Sequence, residues 1–169
     1  MELEAYEIKD HQALISEVAG RVTLHEDTAW LVRVEDPSNA QRVVAVERMA
    51  VTDVSSGWDE ACDELHDRIV AWGVPHTFPP QVWNSAVLVV VRRGLCVVGQ
   101  REDNWHMAWR YVNHAQRVFS GDVILVTEHG WVDSLTKIGG RRPALVERDD
   151  LVGVISEPNQ LPRVRAGDS

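Results

Sequence analysis

Hydrophobic residues recur along the chain in two rhythms, one helical and one extended. Between His11 and Val22, the apolar positions Ala13, Leu14, Val18 and Val22 keep close to the period of about 3.6 residues that gathers side chains on one helical face. Asp10 stands just before them, where a short carboxylate can accept from the free N–H groups of the first turn. A second stripe, Trp58, Ala61, Cys62, Leu65, Ile69 and Trp72, runs through SGWDEACDELHDRIVAWG. Ser56 is its expected N-cap, with Asp59 three residues on, and Gly73 is its expected stop. A third, Trp105, Ala108, Trp109, Val112, Ala115 and Phe119, predicts a helix over 104–119.

The extended segments alternate or are apolar throughout. AWLVRVED (29–36) and QRVVAVERMAV (41–51) flank PSNA and predict a hairpin. Arg33 and Glu35 share one face of the first strand, which places it near an edge. SAVLVVVRR and LCVVGQR read as a second hairpin turning at Arg93-Gly94, and DVILVTEH as a further strand. Residues 86–91 and 122–126 are apolar on both faces, as in a sheet covered on both sides. The expected fold is therefore α/β, with α+β as its variant: a single-domain mixed sheet of five or six strands flanked by three helices. The domain runs over 1–157, and 158–169 form a flexible polar C-terminal tail. Residues 29–73 and 86–120 echo one another as a ββα repeat, AWLVRV against AVLVVV and RVVAVE against LCVVGQ.

Composition narrows the classes. A chain of 169 residues suits one domain. MELEAYEIKD is acidic, without the basic-then-apolar order of a secretory signal. The longest apolar run, AVLVVV, has six residues, against the roughly 20 needed to span a bilayer. Cys62 and Cys96 are too few for a disulfide framework. A soluble cytoplasmic protein is expected, with no membrane association. The net charge of −9 speaks against nucleic acid, whose binding needs basic surface to displace counterions. That charge is uneven: residues 1–70 hold sixteen acids against six Lys/Arg, so −10, while 84–146 hold five against eight, so +3.

Candidate chemistry follows from topology. Were 95–101 and 122–129 parallel neighbours joined through the helix at 104–119, Arg101, Glu102, Asp103, Asn104, His106, Glu128 and His129 would meet beyond the carboxyl ends of the strands. Open α/β sheets bind ligands there. His106 and His129 are then candidate acid–base groups, since imidazole titrates near neutrality. Glu128 or Asp103 would orient them, and Arg101, Asp103 and Asn104 with the helix N-terminus would bind an anion. The plain alternative makes Asp103 and Asn104 helix caps and pairs Arg101 with a neighbouring acid. A second anion candidate is KIGGRRP, where Lys137, Arg141 and Arg142 flank a Gly-Gly turn; it lacks the spacing of a P-loop.

Metal ligation has little support in the sequence. His106 and His114 lie eight helical residues apart, about 12 Å along the axis, too far to share an ion. Asp36 and Glu47 are spaced somewhat as the paired carboxylates of metal-dependent nucleases, but Met49 stands where those enzymes place a lysine. No metal and no cofactor is expected. Seven tryptophans are many for 169 residues. Trp83 and Trp131 fit no stripe, and exposed Trp marks interfaces, so a homodimer through a sheet edge or the N-terminal helix is expected. The leading functional expectation is a non-catalytic protein-interaction or small-anion-binding module that self-associates. A hydrolase-type enzyme using His106, His129 and Glu128, with or without a divalent metal, is the alternative. A phage or defence-related assembly or regulatory protein is a third class, for which no residue pattern speaks.

Overall fold

Asp10 opens the first helix, α1 (His11–Arg21), in the computed structural model of the chain, its carboxylate accepting from Ala13 N at 2.9 Å. Residues 2–148 are described, except 76, 78 and 113–117, and at 119–121 only the backbone is described. His76, His114, Ala115 and the expected tail at 158–169 thus lie outside the described residues. Six strands follow α1: β1 (Thr28–Glu35), β2 (Arg42–Arg48), β3 (Asn84–Val91), β4 (Phe119–Thr127), β5 (Gly130–Asp133) and β6 (Gly139–Gly140). Helix α2 (Trp58–Ala71) lies between β2 and β3, and α3 (Gln100–Val112) between β3 and β4.

The strands form one mixed sheet in the order β2-β1-β3-β4-β5-β6. β1 is antiparallel to both β2 and β3, β3 and β4 are parallel through α3, and β4-β5-β6 is an antiparallel meander. Helices lie on both faces. Leu31, Leu88, Val90 and Val123 pack with Leu65 and Ile69 of α2 and Trp105 and Trp109 of α3. On the opposite face Val32, Val87, Val89 and Ile124 pack with Leu14, Ile15 and Val18 of α1. Every residue of β3 is buried, which explains its unbroken apolar run. Each such Val or Leu contributes about 1.5–3 kcal/mol by leaving water. No helix among the described residues is long and apolar enough to cross a membrane.

Several expectations are corrected, the first being the third helix, which spans Gln100–Val112 rather than 104–119, with Phe119 opening β4. Residues 95–101 are not a strand: β3 is already paired on both sides, by β1 and β4, so LCVVG has no edge to join. It folds instead around Arg92, whose Nη2 donates to Val97 O at 3.0 Å. The second half therefore supplies one strand before its helix, and the ββα repeat is not reproduced. β1 is interior and β2 is the edge; the Arg33 guanidinium sits among Asn84 Oδ1, Trp72 O and Glu35, so its charge does not mark an exposed strand. Helix α2 is preceded by Gly57 rather than capped by Ser56, which closes a short 3-10 turn, Val54–Ser56, capped by Asp53. Finally, Trp131 is 1% exposed, its indole N–H donating to Arg142 O at 2.9 Å; it belongs to the core and not to an interface.

Candidate functional site

The expected meeting place beyond the carboxyl ends of β3 and β4 is occupied by structural pairings. Glu102, on the first turn of α3, is wholly buried and receives both Nε and Nη2 of Arg92, at 2.8 and 3.0 Å. Glu128 accepts from Gly94 N at 3.1 Å. Hydrogen bonds to main-chain N–H groups, its own first, hold its carboxyl below the usual carboxylate range. His129 lies beside it at 3.7 Å with 61% of its side chain exposed. Arg101 turns to the other side, donating to Thr52 O and approaching Asp27 and Asp53. Asn104 accepts from Gln100 within the helix.

His106 is elsewhere. Its Nε2 hydrogen-bonds to Ser134 Oγ, and Ser134 N donates to Val123 O at 2.9 Å. Val123 is four residues before the end of β4, a distance of about 13 Å along an extended strand. His106 and Glu128-His129 therefore do not share a hollow; they are separated along the length of β4. The expected set is divided among three places, and His106 and Asp103 face a cavity.

That cavity has a volume of about 480 Å³ and is open to solvent. Asp103, His106 and Arg110 line it from α3, Ser134 and Leu135 from the turn after β5, with Met107 and Trp109 supplying apolar wall. The turn is built by Asp133, whose Oδ2 accepts from Leu135 N, Thr136 N and Thr136 Oγ1. Lys137, in the left-handed region at φ 62°, closes it by donating from N to Asp133 O and from Nζ to Ser134 O. Burial holds the His106 imidazole below its ordinary value against the charges of Asp103 and Asp122, with Arg110 and Lys137 reinforcing the shift. It is thus a neutral imidazole near pH 7, hydrogen-bonded to the Ser134 hydroxyl. Arg141 and Arg142 are exposed, beyond β6.

On the other face of the same corner stands a second histidine, not singled out in the sequence. His11 Nε2 lies 2.5 Å from Asp122 Oδ2 and 3.9 Å from Asp133 Oδ2. Burial pulls this imidazole down, but the Asp122 hydrogen bond and the charges of Asp122, Asp133 and Asp10 outweigh it and raise its pKa. Asp133 moves up as well, through burial first and then the Asp122 charge. A sequence signal existed: His11 falls on the buried stripe of α1 with Leu14, Ile15 and Val18. Its partners, 111 and more positions away, had none.

No family model, curated protein or solved structure matches this chain. Function must be read from this corner itself.

Proposed function

We propose that the chain is a non-catalytic binding module that self-associates and takes a small anionic ligand in the cavity beside His106. The observation that carries this reading is the cavity's lining. One cation, Arg110, stands at an open pocket whose walls are otherwise apolar apart from Asp103, His106 and Ser134. Pockets of this size hold small ligands through a few placed polar groups and a larger apolar wall. A carboxylate or phosphate would meet Arg110, which can bind it with two parallel N–H groups. The ligand's apolar body would lie on Met107, Trp109 and Leu135, and a hydroxyl or amine on it would face Asp103. The site residues expected at Arg101, Asn104, Lys137, Arg141 and Arg142 are not used in this reading.

The test is calorimetric titration of a panel of small carboxylates and phosphates, compared with neutral isosteres. A charged member should bind, and Arg110→Ala with His106→Ala should lower its affinity by tenfold or more while leaving the protein folded. Equal binding by the doubly substituted protein rules the pocket out. Self-association rests on the unpaired outer side of β2 and on exposed Trp58, Met107 and Tyr111, since free strand edges and exposed apolar groups favour pairing. The apolar face of α1 is spent on the sheet and cannot serve. Light scattering over a concentration series should show a dimer; a monomer at every concentration removes this part.

One observation favours a second reading. A serine hydroxyl hydrogen-bonded to a histidine ring whose pKa is lowered is the pairing an acyl-transfer site uses, which keeps a hydrolase in view with His106 and Ser134 in place of His129 and Glu128. Among the described residues no carboxylate hydrogen-bonds to His106. Labelling by a fluorophosphonate that is lost in Ser134→Ala would support this reading, and an unlabelled protein would dismiss it.

A further inference from the structure

We infer that His11, Asp122 and Asp133 form a binding site for one divalent transition-metal ion, separate from the cavity beside His106. Three ligand atoms, one from each side chain, lie within 4.8 Å of one another. They come from three elements: His11 from the first turn of α1, Asp122 from β4, and Asp133 from the end of β5. The register Ile124↔Asp133 sets both carboxylates on the α1 face of the sheet, because Ile124 and Asp122 are two residues apart and side chains alternate along a strand. A neutral imidazole with two carboxylates is a donor set suited to ions such as Zn²⁺ and Mn²⁺.

A second observation points to a ligand. Asp133 is wholly buried, and its Oδ1 has no hydrogen-bond partner among the described residues. Its Oδ2 is already satisfied by the turn it closes, so the idle oxygen is not needed to hold the fold. A buried carboxylate oxygen left unpaired costs on the order of 1–3 kcal/mol or more, and a cation would remove that cost. Charge argues the same way. Two acidic side chains face a single basic partner, His11, and a divalent ion bound among them would balance both carboxylates.

Geometry sets what must move. Metal–ligand bonds of about 2.0–2.2 Å place ligand atoms about 3.3 Å apart around a tetrahedral ion. The 2.5 Å contact between His11 and Asp122 is that of a shared proton, so it opens by under about 1 Å as the ion enters. The 3.9 Å contact is with Asp133 Oδ2, the oxygen that the turn uses, so the ion would take the idle Oδ1 of the same carboxylate and leave the turn's hydrogen bonds in place. Asp122, with 13% of its side chain exposed, is the flexible member and the way in.

The experiment uses the full chain, stripped with chelator and titrated calorimetrically with Zn²⁺ and with Mn²⁺. One ion per chain should bind, and His11→Gln should weaken it about 10–100-fold, the range for disrupting a metal's ligand environment. Asp122→Asn should do the same, and its partial exposure makes it the safer substitution. Circular dichroism establishes that each variant is folded. Co²⁺ substitution of the unaltered protein gives an independent readout. Intense visible bands saturating at one equivalent mark low-coordinate nitrogen and oxygen ligation, whereas the faint spectrum of the hydrated ion overturns the site. Absence of binding by the unaltered protein overturns it too, as does binding that His11→Gln and Asp122→Asn leave unchanged. In either case the cluster is an ion pair and nothing more.

Discussion

The two ends of the parallel β3–β4 pair are built from the same residue types and do opposite things. Beyond their carboxyl ends, Arg92 clamps Glu102, and Glu128 accepts from Gly94 N. Those charges hold a loop in place and leave little to offer a ligand. Towards the start of β4, where β5 returns, the polar groups are left less balanced. Among the described residues a carboxylate oxygen of Asp133 is buried without a partner, one imidazole has its pKa lowered and another raised, and a cavity opens beside them. Ionisable residues near a helix N-terminus do not by themselves make a site. What sets the end proposed to bind apart is a cavity beside a buried carboxylate oxygen without a hydrogen-bond partner among the described residues, features that cluster at functional sites.

Breaking the clamp gives the largest expected effect. Arg92→Ala strands the buried Glu102 carboxylate, and removing one partner of a buried ion pair costs about 3–5 kcal/mol. Denaturant unfolding should show that loss, and the double substitution Arg92→Met with Glu102→Leu should recover most of it. A loss below about 1 kcal/mol would mean that the pair is solvated and that the two ends differ less than the structure indicates. Next comes the turn between β4 and β5. Gly130 sits at φ 125°, and a Cβ there would meet Gly140 O at 2.1 Å. Gly130→Ala should cost on the order of 2 kcal/mol or more, through backbone strain and the clash with β6.

Smaller effects sharpen the comparison. Ser134→Ala should keep the fold, because among the described residues its hydroxyl hydrogen-bonds to His106 alone, but it should remove any fluorophosphonate labelling. His129→Ala, at the other end, should change stability by no more than about 0.5 kcal/mol, as exposed substitutions do, and leave ligand binding untouched. An effect of His129→Ala on binding equal to that of Arg110→Ala would return the site to the carboxyl ends.

Much of the fold was legible because it rests on local periodicity. The Asp10 cap, the β1–β2 hairpin, the two-sided apolar runs of β3 and β4 and most of the stripes of α1 and α2 follow from neighbours in sequence, although Ala13 and Trp58, placed on those stripes, are exposed. The segment 95–101 misled because Leu95, Cys96, Val97 and Val98 form a β-like apolar run, and no local rule reveals that β3 has no free side. That is a property of the assembled sheet. The site was harder for the same reason. His106 could be singled out from its place on a helix, but its partner Ser134 lies 28 positions away on a turn created by Asp133. His11 was hidden within an apolar stripe, where a histidine looks like filler until the facing strand shows its carboxylates.

The half-buried His106 and the buried His11 also leave opposite marks on stability. His106, with its pKa lowered, contributes no penalty above the unfolded value of about 6.5. Its cost appears as pH falls below that value towards the folded one, because the unfolded chain then binds the proton more readily. His11, with its pKa raised, stabilises the metal-free protein fully below about 6.5, and that support is lost as pH rises through the folded value. His106→Gln should therefore flatten the acid side of the stability profile, and His11→Gln the neutral-to-basic side.

Direct observation of the imidazoles decides the matter. Histidine side-chain ¹⁵N resonances of the chelator-treated protein, followed from acid to base and assigned by His11→Gln and His106→Gln, report each protonation separately. The account predicts that His11 gives up its proton above about 6.5 and His106 below it. Titration of His106 above that value, or of His11 below it, would contradict the claim that the two imidazoles of this corner, on opposite faces of the sheet, are shifted in opposite directions.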